Sequence, residues 1–290
     1  MSGRDPHLAL LGLAGRAPDG WLATAREVVA AGDPVRLAEL AAALDTVPAA
    51  ESTAVAHWFS PDAEGHAVRD RAAVAAVAAV PGAAACWATS RNGTDRVYLV
   101  QVGAGTALPA VAVAVAHALT GLESSPRVEV FGPTTPLPAY HEAALLAAVL
   151  LWSAVAQRPV QIARTFDGTD ATAGPWFEPG HDVVSDADER QHLLDFLSGG
   201  EVVLAADERL PDVVTGTVGA VRPDLRSDGT WVWSDAAHYY LDQHRLAPDA
   251  ELVAHARTSR PDSRLSPLSR HGVRAALAPT EEDGPLWRAG

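Results

Sequence analysis

The chain has 290 residues, 48% of them hydrophobic, enough for one large or two ordinary domains around a real core. Its 22 basic residues stand against 36 acidic ones, a net charge of −14, which argues against a general nucleic-acid binder and suits a plain acidic surface or a basic partner. Every basic residue is Arg and none is Lys, which excludes a P-loop lysine, a Schiff-base lysine and a Ser–Lys dyad.

Residues 1–50 read as a helical module. Leu8–Leu13 is a short apolar helix. Asp19 is placed to cap a second helix whose Trp21, Leu22, Ala25, Val28 and Val29 fall at helical spacing, with Gly32 to end it. Asp33-Pro34 opens a third, with Asp at the N-cap and Pro in the first turn. His57-Trp58-Phe59 is a candidate strand, and Ala67–Val80 an Ala/Val-rich helix that Pro81-Gly82 ends.

The central stretch carries the strongest pattern. Ala84–Ser90 and Arg96–Val102 flank Asn92-Gly93, a hairpin signal. A Gly103-Ala-Gly105 loop leads into an apolar helix near Ala110–Leu122. Val128–Phe131 is expected as a strand, Tyr140–Ala156 as a helix and Val160–Ala163 as a strand. This βαβαβ pattern predicts an α/β fold, a mixed sheet with helices packed on it, spanning residues 51–165.

Residues 166–290 read as an α+β region. Thr165–Asp182 is a long loop holding Trp176 and Phe177, either an active-site cover or a packed surface loop. A helix over Asp188–Leu197, capped at Ser185-Asp186, a strand over Glu201–Ala205 and a glycine-interrupted strand over Val213–Val221 follow. The Asp228-Gly229 turn leads to a strand at Thr230–Trp233. Helices are expected at Asp235–His244 and Ala250–Arg257, then an exposed Arg/Ser/Pro-rich stretch, Thr258–Ser269, and a loose tail.

No motif fixes a reaction. The Gly103–Gly105 loop follows a strand and opens a helix, the right context for a nucleotide phosphate. Leu108 stands where a third glycine belongs, however, and no acid closes the next strand, so a tight strand-to-helix turn explains it as well. His57 and His66 bracket Asp62 and Glu64 without a metal spacing, and His238/Asp242 one helical turn apart fit a surface pair. His141 at a helix start fits a structural role. Cys86, the sole cysteine, sits in mid-strand and reads as a buried thiol. No GxSxG is present, no cofactor motif is complete, and no metal site is indicated.

Trp231 and Trp233 share one strand face, and Tyr239 and Tyr240 follow at once. Two such tryptophans either cover the core or, if exposed, anchor a partner. This aromatic stretch resembles C-terminal segments of uncharacterised bacterial proteins, some with interaction or immunity roles. The lysine-free, Ala/Val/Gly/Pro-rich composition resembles that of proteins from GC-rich genomes such as those of actinobacteria. No signal peptide is evident, and the most apolar stretches are too short to span a bilayer, so a cytoplasmic protein is expected, with no membrane and no nucleic-acid partner. The expected function is a non-enzymatic interaction or regulatory role toward another protein, of basic charge in one form of the reading. The alternative is a nucleotide- or small-molecule-binding enzyme using Gly103 and Gly105.

Overall fold

The computed structural model describes residues 5–45, 57–62, 64–170, 172, 174–261 and 264–278. The chain divides into two compact units, Met1–Ala156 and Gln157–Gly290. The borders expected from the sequence fall instead at 50/51 and 165/166. Both units are α/β, mixed sheets with helices packed on them. No helix among the described residues is long and apolar enough to cross a membrane.

The first unit begins with helices α1 (Pro6–Leu11), α2 (Asp19–Ala31) and α3 (Pro34–Asp45). Leu10, Leu22 and Ala25 form their shared core, with Leu37 and Leu40 against it. The Trp21 indole donates to Leu40 O at 3.0 Å, tying α2 to α3. Asp33 caps α3 as expected, accepting from the Arg36 amide at 2.9 Å. Asp19 does not cap α2. Pro18 holds that position without a side-chain bond, and the Asp19 carboxylate turns instead to Arg91 and Arg127. Two guanidinium partners outweigh one neutral amide donor.

A five-stranded sheet follows. It contains β1 (Phe59–Ser60), β2 (Ala83–Arg91), β3 (Asp95–Val102), β4 (Arg127–Phe131) and β5 (Val149–Ser153). β2 pairs antiparallel with β3 across the Asn92-Gly93 turn, where both residues have positive φ, 53° and 84°. That conformation suits the twist of a hairpin, and Asn and Gly tolerate it best. β1 and β5 pair with different stretches of β2, both antiparallel, while β3 and β4 run parallel. Helix α4 (Ala67–Ala78) precedes β2, α5 (Leu108–Leu119) links β3 to β4, and α6 (Ala139–Leu146) follows β4.

The expected helix over Tyr140–Ala156 is therefore only half right. It stops at Ala147, and Val149–Ser153 becomes a strand. A short apolar run fits either element by periodicity alone, and here the β2 edge takes it. The expected strand near Val160–Ala163 pairs into the other unit's sheet, so one parallel βαβ element remains of the βαβαβ pattern. One sheet face packs against α4 and α5 and is apolar except at its Arg96 end, where Arg96 and the Tyr98 hydroxyl donate to Asp70 of α4. Cys86, Tyr98, Val100, Val128 and Val130 pack there against Ala73 and Val77 of α4 and Val111, Val115 and Leu119 of α5. Strand alternation sends Trp87, Gln101, Glu129 and Phe131 to the other face.

The second unit holds a four-stranded sheet of β6 (Gln161–Ile162), β9 (Glu201–Leu204), β10 (Leu225–Ser227) and β11 (Trp231–Ser234), in the order β6-β11-β10-β9. β7 (Gly168–Asp170) and β8 (Gly174–Trp176) form a separate hairpin within the long loop. The helices are α7 (Ala187–Gly199), α8 (Asp235–His244), α9 (Ala250–Ala256) and α10 (Pro267–Leu277). Trp231 and Trp233 pack with Leu193, Phe196, Leu197, Leu241 and Leu252 on one side of β11, and Val232 meets Leu265 and Val273 on the other. The limits of α8 match the sequence expectation. Helix α10 was not expected, although Ser266-Pro267 is a good helix opening, and the Ser266 hydroxyl accepts from Ser269 N at 3.0 Å. The expected strand over Val213–Val221 is a loop. Gly216 and Gly219 have φ of 75° and 66°, and Asp212 gathers the turn around itself. The expected tail from 281 lies outside the described residues.

Candidate functional site

The Gly103–Gly105 loop has a structural explanation. Gly103 N donates to Gly82 O at 2.7 Å, and a Cβ on Gly103 would stand 3.3 Å from that oxygen. Gly105 has φ 82°, a left-handed turn that glycine adopts without strain. Pro109 removes one donor from the first turn of α5. Both glycines are thus accounted for by a close backbone approach and a turn.

The other face of the first sheet carries a second set of buried charges, apart from the Arg96–Asp70 pair. Glu129 on β4 is 3% exposed and receives Arg26 Nη2 at 2.7 Å on both oxygens. His141 Nε2 lies 3.0 Å from the same carboxylate. Burial alone would raise its pKa, but the Arg26 charge and the His141 bond outweigh it and hold Glu129 at about 2. Alongside, Asp19, Arg91, Asp95, Arg127 and Glu123 form a continuous network. Through Asp19 this network fastens α2 to the sheet. His7 ties α1 to the same strand as Glu129, its Nε2 2.7 Å from Val130 O and its pKa pushed down by burial. Cys86 is buried, and burial pushes its thiol up to about 12, which makes it inert.

The four aromatic interface candidates fall mostly inside. Trp231 is 8% exposed, Trp233 1% and Tyr240 2%, while Tyr239 is half-buried with its hydroxyl on Asp212 at 3.3 Å. Trp233 and Tyr240 pay for burial with good partners, donating to Leu197 O at 2.9 Å and accepting from Val213 N at 3.1 Å. Trp231, Trp233 and Tyr240 cover the core and do not present a docking face. The histidines separate likewise. His57 Nε2 bonds Gly15 O at 2.7 Å, and His66 is buried at the start of α4. His238 and Asp242 line a small cleft of about 260 Å³ with Arg209, Arg222 and Arg226. No cluster of three or more potential metal ligands occurs among the described residues.

A larger cleft, about 660 Å³, opens in the second unit between the long loop, the start of α7 and the α8–α9 connection. Its walls carry Asp167, Glu178, Asp182, Glu189 and Asp249 against Arg164 and Arg257, five carboxylates to two guanidinium groups. His181 braces it, with Nδ1 2.8 Å from Asp167 and Nε2 2.9 Å from Ala247 O. The Glu178 amide and then His181 hold Asp167 below the usual carboxylate range. Asp249 caps α9 through Glu251 N at 2.9 Å and has Arg164 at 3.6 Å, and Glu189 bonds Arg257. Glu178 and Asp182 have no cationic partner among the described residues; Glu178 accepts only the Trp176 indole, at 3.3 Å.

The loop at 165–182 stands out in the sequence, but this cleft does not. Its acids are spread over more than eighty residues and form no local run, so only folding brings them together. No family model, no curated protein and no solved structure matches the chain.

Proposed function

We propose that the protein is an interaction module that docks a basic segment of a partner protein in the acidic cleft of its second unit. The observation that carries this reading is the pair Glu178 and Asp182, two carboxylates on the cleft wall that no cation among the described residues neutralises. The neighbouring acids are already committed to His181, Arg164 and Arg257, which hold the walls in shape. An arginine or lysine side chain entering beside Glu178 and Asp182 would gain about 1 to 4 kcal/mol of Coulomb attraction per close pair, depending on how much water it displaces. The exposed Val183, on the same wall, offers apolar surface for the stem of such a side chain.

The test uses a fluorescein-labelled oligoarginine peptide and anisotropy. Binding is expected to weaken steeply from about 50 to about 300 mM salt. The double variant Glu178→Gln/Asp182→Asn should weaken it about tenfold, as loss of about 1.4 kcal/mol would. Asp207→Asn/Glu208→Gln, exposed acids of the same unit, should leave binding unchanged. Equal weakening in the two double variants would reduce the attraction to net charge and sink the cleft reading.

A further inference from the structure

Asp228, His255 and Ser259 form one hydrogen-bonded chain on the side of α9 away from the acidic cleft. His255 Nε2 lies 2.5 Å from Asp228 Oδ2, and Ser259 Oγ lies 3.3 Å from His255 Nδ1. The carboxylate is fixed from behind: its Oδ1 accepts from Thr230 N at 2.9 Å and Trp231 N at 2.8 Å, and its side chain is 6% exposed. The imidazole is fixed from its faces and edge, with the Phe196 ring 5.8 Å and the Trp231 ring 6.3 Å away. Its side chain keeps 20% exposure, so the ring is oriented yet reachable. Ser259 stands just past the end of α9, half-buried, in a stretch the helix no longer confines. The backbone amides of Ser259 and Arg260 donate to no acceptor among the described residues.

A serine within reach of a histidine that a buried carboxylate orients is the arrangement that activates a hydroxyl for acyl transfer. A helix tie would need only Asp228 and His255. The serine on the opposite ring nitrogen, with free amides beside it, is what that role leaves unexplained. We propose that Ser259 is a nucleophile toward small, activated carboxylic esters, with His255 as its base and Asp228 as the positioning residue.

The chemistry balances without a further reactant except water. Ser259 Oγ attacks the ester carbonyl carbon while its proton passes to His255 Nδ1, and the developing oxyanion is assigned to the amides of Ser259 and Arg260. The carbon–oxygen bond to the alcohol breaks, and Nδ1 returns the proton to that leaving oxygen. Water then attacks the acyl-serine, giving its proton to Nδ1, and Ser259 leaves with that proton as the carboxylic acid is released. This inference does not rest on the cleft reading, since none of the three residues lines the cleft.

The full chain is treated with a fluorophosphonate probe and followed by intact mass and peptide mapping. A single adduct on Ser259 is expected, absent in Ser259→Ala and formed at least tenfold more slowly in His255→Gln. Ser259→Ala should keep the wild-type melting temperature, which separates lost reactivity from lost fold. With p-nitrophenyl acetate, Asp228→Asn, which retains an oxygen for the two amides, should lower kcat and leave KM in place. A wild-type chain that stays unlabelled, or labelling that persists in Ser259→Ala, overturns the proposal. So does equal labelling of a folded His255→Gln variant.

Discussion

Arg26 and Glu129, 103 residues apart in sequence, meet through a single nitrogen that lies 2.7 Å from both carboxylate oxygens. The arginine is on the second helix of the chain and the glutamate on the parallel edge strand, so this pair fastens the N-terminal helices to the sheet. Both side chains are almost fully buried, at 7% and 3% exposure. Such a pair is costly to break because the survivor is left as an uncompensated charge.

Arg26→Ala should therefore destabilise the first unit by about 3–5 kcal/mol, read as a fall in the urea midpoint. Glu129 also sets an acid dependence. Its folded-state pKa, about 2, lies below its ordinary 4.5, so its contribution is complete above pH 4.5 and is lost as pH falls toward 2. The shift corresponds to roughly 3 kcal/mol at most. Unfolding free energy measured between pH 6 and pH 2 should fall less steeply in Glu129→Gln than in the wild type. An unchanged slope would remove Glu129 from the acid sensitivity.

Trp233 is a packing and hydrogen-bonding anchor of the second unit. It lies beside Phe196, with ring centroids 5.2 Å apart, and a Cβ on Gly200 would come within 2.5 Å of its ring. Trp233→Phe should cost about 1–3 kcal/mol, chiefly from stranding the Leu197 carbonyl, and Trp233→Ala about 3–5 kcal/mol from the added cavity. Gly200→Ala should destabilise through the same ring. Thermal unfolding of the three variants checks this. A folded Trp233→Ala variant with wild-type stability would return the residue to the surface.

How far the sequence could be read depended on how local the deciding forces were. The hairpin at Asn92-Gly93 was legible because its turn needs two positive φ angles that its own residues supply. Helix α8 was legible at both ends: Ser234 accepts from Ala236 N, and the chain leaves at Arg245 with φ 61°. The failures lie where distant partners decide. Asp19 has the chemistry of a cap but is claimed by Arg91 and Arg127, 72 and 108 residues away. Val149–Ser153 carries an apolar run that only the β2 edge turns into a strand. The acidic cleft and the Asp228–His255–Ser259 chain assemble from separate elements and leave no spacing pattern to find.

Asp212 is the last such case. The sequence offered Val213–Val221 as a strand, yet this one buried carboxylate accepts from Val214 N at 2.8 Å, Thr215 Oγ1 at 2.8 Å, His244 Nε2 at 2.8 Å and Tyr239 Oη at 3.3 Å. Burial opposes its charge, but the Val214 amide, Thr215 and His244 outweigh burial and hold it at about 2. Asp212→Ala strands several of these donors together and should cost about 2 kcal/mol or more. Asp212→Asn keeps one acceptor oxygen and should cost less. Because the folded pKa lies below the ordinary 3.8, the carboxylate's contribution is present above that pH and lost on acidification toward 2. Amide hydrogen exchange at Thr217 and Gly216, whose amide bonds to Asp212 O at 2.7 Å, provides the local reading. Exchange there should accelerate in Asp212→Ala while β2 and β3 of the first unit keep their protection. Uniform acceleration across both units would instead show that Asp212 supports more than its own loop.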